Sequence, residues 1–256
     1  MEQKKVSVVT VVKDGGDCIE KTIQSVVSQT YRHIEYIVID GHSRDDTRTK
    51  ILHYKNDIDT FVSSPDRGIY DAMNNGLKLA SGEYIIFLNC GDVFYSSQTI
   101  DSIFGRNGHN RSADIIYGGI ALTDRFGKIV KHVSALPMTM ENLIKYGSRT
   151  VCHQAIFIRK SITIPFDLRY TLLADLNLYF DLLKKRCTTL KTDQFIVCYK
   201  TGGASSKFFI IGNLERIWIV FRQFGFKKLI FNMVYFAMPI LYRLYSKLNL
   251  HRFPRI

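Results

Sequence analysis

The run VSVVTVV, Val6–Val12, restricts the fold more than any other stretch of this chain. It shows no polar alternation and is almost wholly β-branched, the pattern of a strand covered on both faces. Such a strand needs helices above and below its sheet. The next residues supply them. Asp17 to Gln29 reads as a helix with Ile19, Ile23, Val26 and Val27 on one side, and Ile34 to Ile39 as a second buried strand. Asp45 to Tyr54 (helix), Ile58 to Val62 (strand), Tyr70 to Ala80 (helix) and Tyr84 to Leu88 (strand) continue the alternation. This order predicts an α/β fold: a Rossmann-like, mostly parallel sheet with helices on both faces.

In such sheets ligands bind beyond the carboxyl ends of the strands. All four strand ends here carry a carboxylate: Lys13-Asp14, Asp40-Gly41-His42-Ser43, Ser64-Pro65-Asp66-Arg67 and Asn89-Cys90-Gly91-Asp92. Loops are polar in general, so the signal is the coincidence of four acids at one rim. Strand–loop–helix units suggest a nucleotide, but neither G-x-G-x-x-G nor G-x-x-x-x-G-K-[ST] occurs. A nucleotide bound here would be held by carboxylates and a metal rather than by a glycine-rich cradle.

Beyond Asp114 the pattern is less regular. Ile115 to Tyr117, Ile129 to Val133, Ala155 to Ile158 and Phe195 to Tyr199 read as strands, Leu173 to Lys185 as a helix, and Thr201-Gly202-Gly203 as a turn. Residues 1–112 form a ligand-binding half, 113–205 a second half, and 206–256 a basic, amphipathic helical region. The formal charge is +12, and nine of the Lys and Arg residues but only one acid, Glu215, fall in 206–256. The five cysteines form no C-x-x-C pair, which favours free thiols over a disulfide framework or zinc knuckle. The apolar run after MEQKK stops at Lys13-Asp14, so no signal peptide is expected, and no uninterrupted apolar run is long enough to span a bilayer.

The stretch VSVVTVVKDGGDCIEKTIQSVVSQTYRHIEYIVIDGHSRDDT resembles the opening of inverting nucleotide-sugar glycosyltransferases of family 2. SSPDRGIYDAMNNGLKLASGEYIIFLNCGD, CHQAIFIRK, ADLNLYF and GGAS follow in the family's order, in the manner of its colanic-acid and polysaccharide branch. The resemblance covers roughly residues 5 to 205. It implies a GT-A fold, a nucleoside-diphosphate sugar as donor, and a hydroxyl of a saccharide or lipid-linked saccharide as acceptor.

The family's roles carry over position by position. Asp40 would contact the base or ribose, with Asp66 beside it, as carboxylates accept from base N–H and ribose hydroxyl groups. Thr10, Val12 and Asp14, at the first strand's end, would line the nucleoside pocket. Arg67 would face the diphosphate, where a guanidinium forks onto two oxygens. Asp71 and Asn74, one helical turn apart, would serve the site or pin their helix to a loop. In most of the superfamily the fourth strand ends in an Asp-x-Asp-type motif whose last carboxylate binds the metal; here Asn89, Cys90, Gly91 and Asp92 stand there, a pattern usual for this branch, and only Asp92 keeps the charge. Asp92 would hold Mn²⁺ or Mg²⁺ together with the donor's phosphates, while Asn89 and Gly91 face the nucleotide. Inversion needs one general base, and the resemblance assigns it to Asp175. Ala174 replaces a glutamate common in relatives at an acceptor contact, and His153 and Gln154 belong to a motif at the acceptor site.

The tail suits a helix lying in a membrane interface, its basic residues drawn to anionic headgroups. Leu229 to Tyr242 is uncharged, flanked by Lys227-Lys228 and Arg243, and too short to span a bilayer comfortably. Nucleic acid fits the charge but not the aliphatic bulk. The expected location is cytoplasmic, peripheral at the inner face of the cell membrane. A sugar nucleotidyltransferase would need a glycine-rich, Arg/Lys-bearing first loop, which Lys13-Asp14-Gly15-Gly16 does not match. A catalytically silent nucleotide-binding subunit is the other alternative.

Overall fold

The computed structural model describes residues 4–105, 112–201, 208–237 and 241. The expected turn at Gly202-Gly203, the GGAS motif and most of the last eighteen residues lie outside them. The first half runs β1 (Val6–Val12), α1 (Ile19–Val27), β2 (Ile34–Asp40), α2 (Thr47–His53), β3 (Thr60–Ser63), α3 (Ile69–Leu79) and β4 (Tyr84–Phe87). Next come β5 (Val93–Phe94), α4 (Thr99–Phe104), β6 (Ile115–Thr123), β7 (Ile129–Val133) and α5 (Met140–Tyr146). The order closes with β8 (Ile156–Arg159), α6 (Ala174–Lys184), β9 (Thr189–Lys200) and α7 (Phe209–Phe231).

One sheet crosses the molecule in the order β3-β2-β1-β4-β8-β6-β9-β5, with β7 paired to β6. β1 pairs in parallel with both β2 and β4, and β2 with β3, so four strand ends meet at one rim as expected. Every β1 residue is buried, because the strand is covered on both sides. Val9 and Val11 join α3 and α6 in one core, while Val6, Val8 and Val12 join α1 in the other. Beyond β4 the sheet changes direction: β8 is antiparallel to both β4 and β6. The sequence reading missed β5, α4 and α5, and saw less than half of β9. The two residues of β5 carry no periodicity, and the first half of β9, TLKTDQ, is largely solvent-facing and polar.

Glu35 clamps β1 to the turn before β4. Its carboxylate accepts from Ser7 Oγ at 2.5 Å, from Lys5 Nζ at 3.0 Å and from the Ser81 backbone N–H at 2.7 Å. Burial opposes the charge, yet these bonds prevail and hold its acidity at about 2.

The C-terminal helix α7 is seated on the second half by a buried cation. Arg216, 4% exposed, donates to the Ile144 and Lys145 carbonyls at the end of α5 and lies over the Phe236 ring. A cation at a helix C-terminus meets the negative end of its dipole. Glu215 accepts from the Thr171, Leu172 and Leu173 backbone N–H groups, which positions the start of α6. Gly225, at φ 77°, kinks α7.

Candidate active site

The ends of β1 and β2 are stitched into one unit. The Asp14 N–H donates to Ser43 Oγ at 2.8 Å, Asp14 accepts from the Arg44 N–H at 2.8 Å, and the Gly16 N–H donates to Asp45 at 2.9 Å. Asp14 and His42 both adopt left-handed backbone, at φ 48° and 61°. For residues other than glycine this costs roughly 1–3 kcal/mol each, and such strain concentrates at functional sites. Asp40 lies wholly buried beneath them, accepting from Ser43 and, at 2.6 Å, from Ser63 Oγ. Asp66 lies across Gly41, where a Cβ would come within 2.3 Å of its carboxylate. Arg67 is exposed and forks onto Asp71 at 3.1 Å. Asn74 instead exchanges two bonds with the Phe166 backbone, at 2.9 and 2.7 Å, and so pins α3 to the second half.

The loop after β4 is shaped by Gly91 at φ 99°, a conformation that favours glycine. Thr22 holds it by accepting from the Gly91 N–H at 3.0 Å and donating to the Asp92 carbonyl at 2.9 Å. Cys90 packs under Gly15, with its sulfur 3.2 Å from that of Cys18. Asp92 is 5% exposed. One of its oxygens accepts from Gln154 Nε2 at 2.7 Å and the other from the Lys200 N–H at 2.8 Å. Burial pushes the carboxyl up to about 6, against the opposing pull of the Lys200 N–H, His153 and Gln154.

His153 joins this loop to the second half. Its Nε2 accepts from Asn89 Nδ2 at 2.9 Å, which leaves the ring proton on Nδ1, 3.4 Å from Asp175 Oδ2. Asp175 opens α6 and is 3% exposed. Its other oxygen accepts from the Leu176 N–H at 2.8 Å and lies 3.2 Å from the Tyr70 hydroxyl, whose single proton is shared with the Leu172 carbonyl at 2.9 Å. Asn89, Asp92, His153, Gln154 and Asp175 thus form one connected cluster. A cavity of about 600 Å³ opens beside it, lined by His153, Gln154 and Asp175 among others.

Two expectations are corrected. Thr10 is wholly buried inside the sheet with its hydroxyl 3.1 Å from that of Tyr36, because its side chain points to the α1 face and not out of the strand end. Ala174 is also wholly buried, packed in the core at the base of α6, so it offers no surface to an acceptor. Val12 is only 6% exposed and packs against α1. Tyr70 escaped the sequence reading because a buried aromatic on a helix reads as core, although it stands inside the DRGIYD motif.

Residues 7–163 match glycosyl transferase family 2. The chain belongs to this family. It is 30% identical over 162 residues to a PGL/p-HBAD biosynthesis glycosyltransferase of Mycobacterium bovis (strain BCG / Pasteur 1173P2), covering 60% of this chain and 59% of that one. An uncharacterized glycosyltransferase of Mycobacterium tuberculosis (strain ATCC 25618 / H37Rv) is 29% identical over 230 residues, 86% of each chain. Among solved structures, S. aureus TarS 1-349 in complex with UDP superimposes with a TM-score of 0.61 at 17% identity, over 85% of this chain and 65% of that one. Glucosyl-3-phosphoglycerate synthase from Mycobacterium tuberculosis, in complex with Mn²⁺, UDP and glucosyl-3-phosphoglycerate, gives 0.60 at 14% identity over 87% and 80%. The fold is therefore the GT-A arrangement that the resemblance implied.

This cluster carries a stability cost at Asp92. A carboxylate whose folded value is raised from 3.8 to about 6 weakens the fold when ionised, above about pH 6, and does not weaken it below the unfolded value. The shift corresponds to about 3 kcal/mol. Asp92→Asn should therefore unfold at higher denaturant than wild type at pH 8, with the gap closing as pH falls from 6 towards 4. Denaturant midpoints across that range check it, and a variant less stable than wild type at pH 8 contradicts it.

Proposed function

We propose that this chain is an inverting, metal-dependent glycosyltransferase. It moves a sugar from a nucleoside-diphosphate sugar to a hydroxyl of a saccharide or lipid-linked saccharide in the building of cell-surface polysaccharide. The observation that carries this reading is the chain of contacts from Asn89 through His153 to Asp175. It links the loop that carries one buried carboxylate, Asp92, to a second, Asp175, which lines the cavity.

Asp175 takes the proton of the acceptor hydroxyl as that oxygen attacks the anomeric carbon. His153 sets its Nδ1 edge 3.4 Å from Asp175 Oδ2 and so orients the carboxylate, while the Asn89 amide N–H on Nε2 fixes the histidine tautomer. Tyr70 and the Leu176 N–H hold the other oxygen. Asp66 and Asp14 form the nucleoside end, over the wholly buried Asp40 that holds Ser43 and Ser63 in place, and Arg67 offers its exposed edge to the diphosphate. Asp92 and the amide of Asn89, whose oxygen is buried without a hydrogen-bond partner, are hard oxygen donors suited to Mg²⁺ or Mn²⁺. A bound cation of this kind neutralises charge on the departing diphosphate. Among the described residues no three His, Cys, Asp or Glu side chains group to hold a metal, and a cation held by Asp92 and Asn89 would take further oxygens from the donor's phosphates. That a GT-A structure similar to this chain is recorded with Mn²⁺ and UDP supports a divalent metal as cofactor.

The tail supports a place at the membrane. No helix among the described residues is long and apolar enough to cross a bilayer. Ile210, Leu214, Trp218 and Phe221, spaced for one face of α7, are 58%, 57%, 51% and 39% exposed. Phe226, Ile230 and Phe231 continue the exposed apolar surface beyond the kink, beside the exposed Arg222, Lys227 and Lys228. This mixture fits an anionic bilayer surface at the inner face of the cell membrane.

Thermal-shift titration with UDP, GDP, TDP and CDP, each with and without Mn²⁺, tests the catalytic reading. One nucleotide at 100 times its dissociation constant should stabilise the protein by about 2.7 kcal/mol, only with the metal and not in Asp92→Ala. No metal-dependent shift with any of the four contradicts it. For the tail, sedimentation with phosphatidylglycerol-containing vesicles should carry wild type down and leave Leu214→Ser/Trp218→Ser largely in solution. Equal recovery with pure phosphatidylcholine, or none with either, removes the anionic-surface reading.

A further inference from the structure

The cavity beside Asp175 has an unusual wall for a site that takes a sugar. Asp175, His153 and Gln154 lie at one end. From there the wall is built by Ile120 and Leu122 of β6, Val133 of β7, Leu136 in the segment that follows, and Leu172 before α6, with Ala135, Val151 and Leu173 deeper in. The reason is local. The β6–β7 hairpin turns alternate side chains of β6 towards the second half, and the 134–136 and 171–173 segments close the sides. Arg149 is the one Lys or Arg in the lining, and it is exposed.

A hydrophilic sugar needs polar partners for its hydroxyls, because a desolvated hydroxyl left unpaired is costly. The lining includes the hydroxyls of Ser134, Tyr146, Ser148 and Tyr199, but most of its surface is apolar. Thr150 is wholly buried and its hydroxyl is committed to the Asn142 carbonyl at 2.9 Å. Each methylene placed against such a wall gains free energy as it leaves water. The volume, about 600 Å³, falls in the range that encloses one small organic ligand.

We infer that the acceptor presents an apolar body, an alkyl or aryl aglycone, to this cavity, with its nucleophilic hydroxyl held at Asp175 and His153. This deepens the transferase reading and rests on it. The cavity thus selects acceptors by the hydrophobic group next to the reacting hydroxyl rather than by a pattern of sugar hydroxyls.

The test uses the full chain with Mn²⁺ and the nucleoside diphosphate that stabilises it. Methyl, octyl and p-nitrophenyl β-D-glucopyranosides, the octyl compound kept below its micelle-forming concentration, serve as probes in a binding titration. The octyl and p-nitrophenyl compounds should bind at least tenfold tighter than the methyl compound. Leu136→Gln, at a half-exposed wall position, should cut that preference at least threefold, and Val133→Ser provides a second variant should the first fail to fold. The nucleotide-induced thermal shift, measured in parallel, separates the two levels of the argument. Its absence removes the transferase reading. Its presence with equal affinity for all three probes overturns the apolar-acceptor inference alone, as does an unchanged preference in both folded variants.

Discussion

Much of the proposed chemistry depends on one imidazole. His153 accepts from Asn89 on one ring nitrogen and faces Asp175 with the other. Asn89 ends β4 in the parallel half; Asp175 opens α6 in the other half. The contact therefore couples the sheet that would position a donor to the helix that would supply the base. Neither carboxylate could hold its place by local structure alone. Asp92 depends on Gln154, next to His153, and on the backbone of β9, and Asp175 depends on Tyr70 from α3.

The arrangement concentrates unfavourable terms at one rim. Asp92 is buried enough to resist ionisation, and Asp14 and His42 occupy backbone conformations that non-glycine residues avoid. The core can carry these costs because β1, β2 and β4 are shielded on both faces. Strain at strand ends above a sealed sheet is the expected division of labour in a doubly covered parallel sheet, where the interior supplies rigidity and the loops supply chemistry.

Most of the parallel half was legible in the sequence because burial on both faces leaves a continuous apolar run, a signal that survives without neighbours. β5 and the solvent-facing part of β9 were not, since two residues or a mixed polar strand depend on their pairing partners. At the site, the acids at strand ends could be read from position alone. The family resemblance added Asp175 and His153, yet their meeting is a tertiary fact, and so is the role of Tyr70. The resemblance misled at Ala174: the position is the family's, but with a methyl in place of a carboxylate the side chain joins the core. Thr10 misled because period-two alternation aims it at Tyr36, across the sheet from α3.

The most direct test of the two-carboxylate account is to compare donor affinity and single-turnover transfer in Asp175→Asn. The account predicts transfer reduced by a factor on the order of 10²–10⁴, the usual contribution of a general base, with donor affinity within about twofold of wild type. Transfer within a few fold of wild type, at matched donor occupancy, would contradict the assignment of the base and with it the role given to His153.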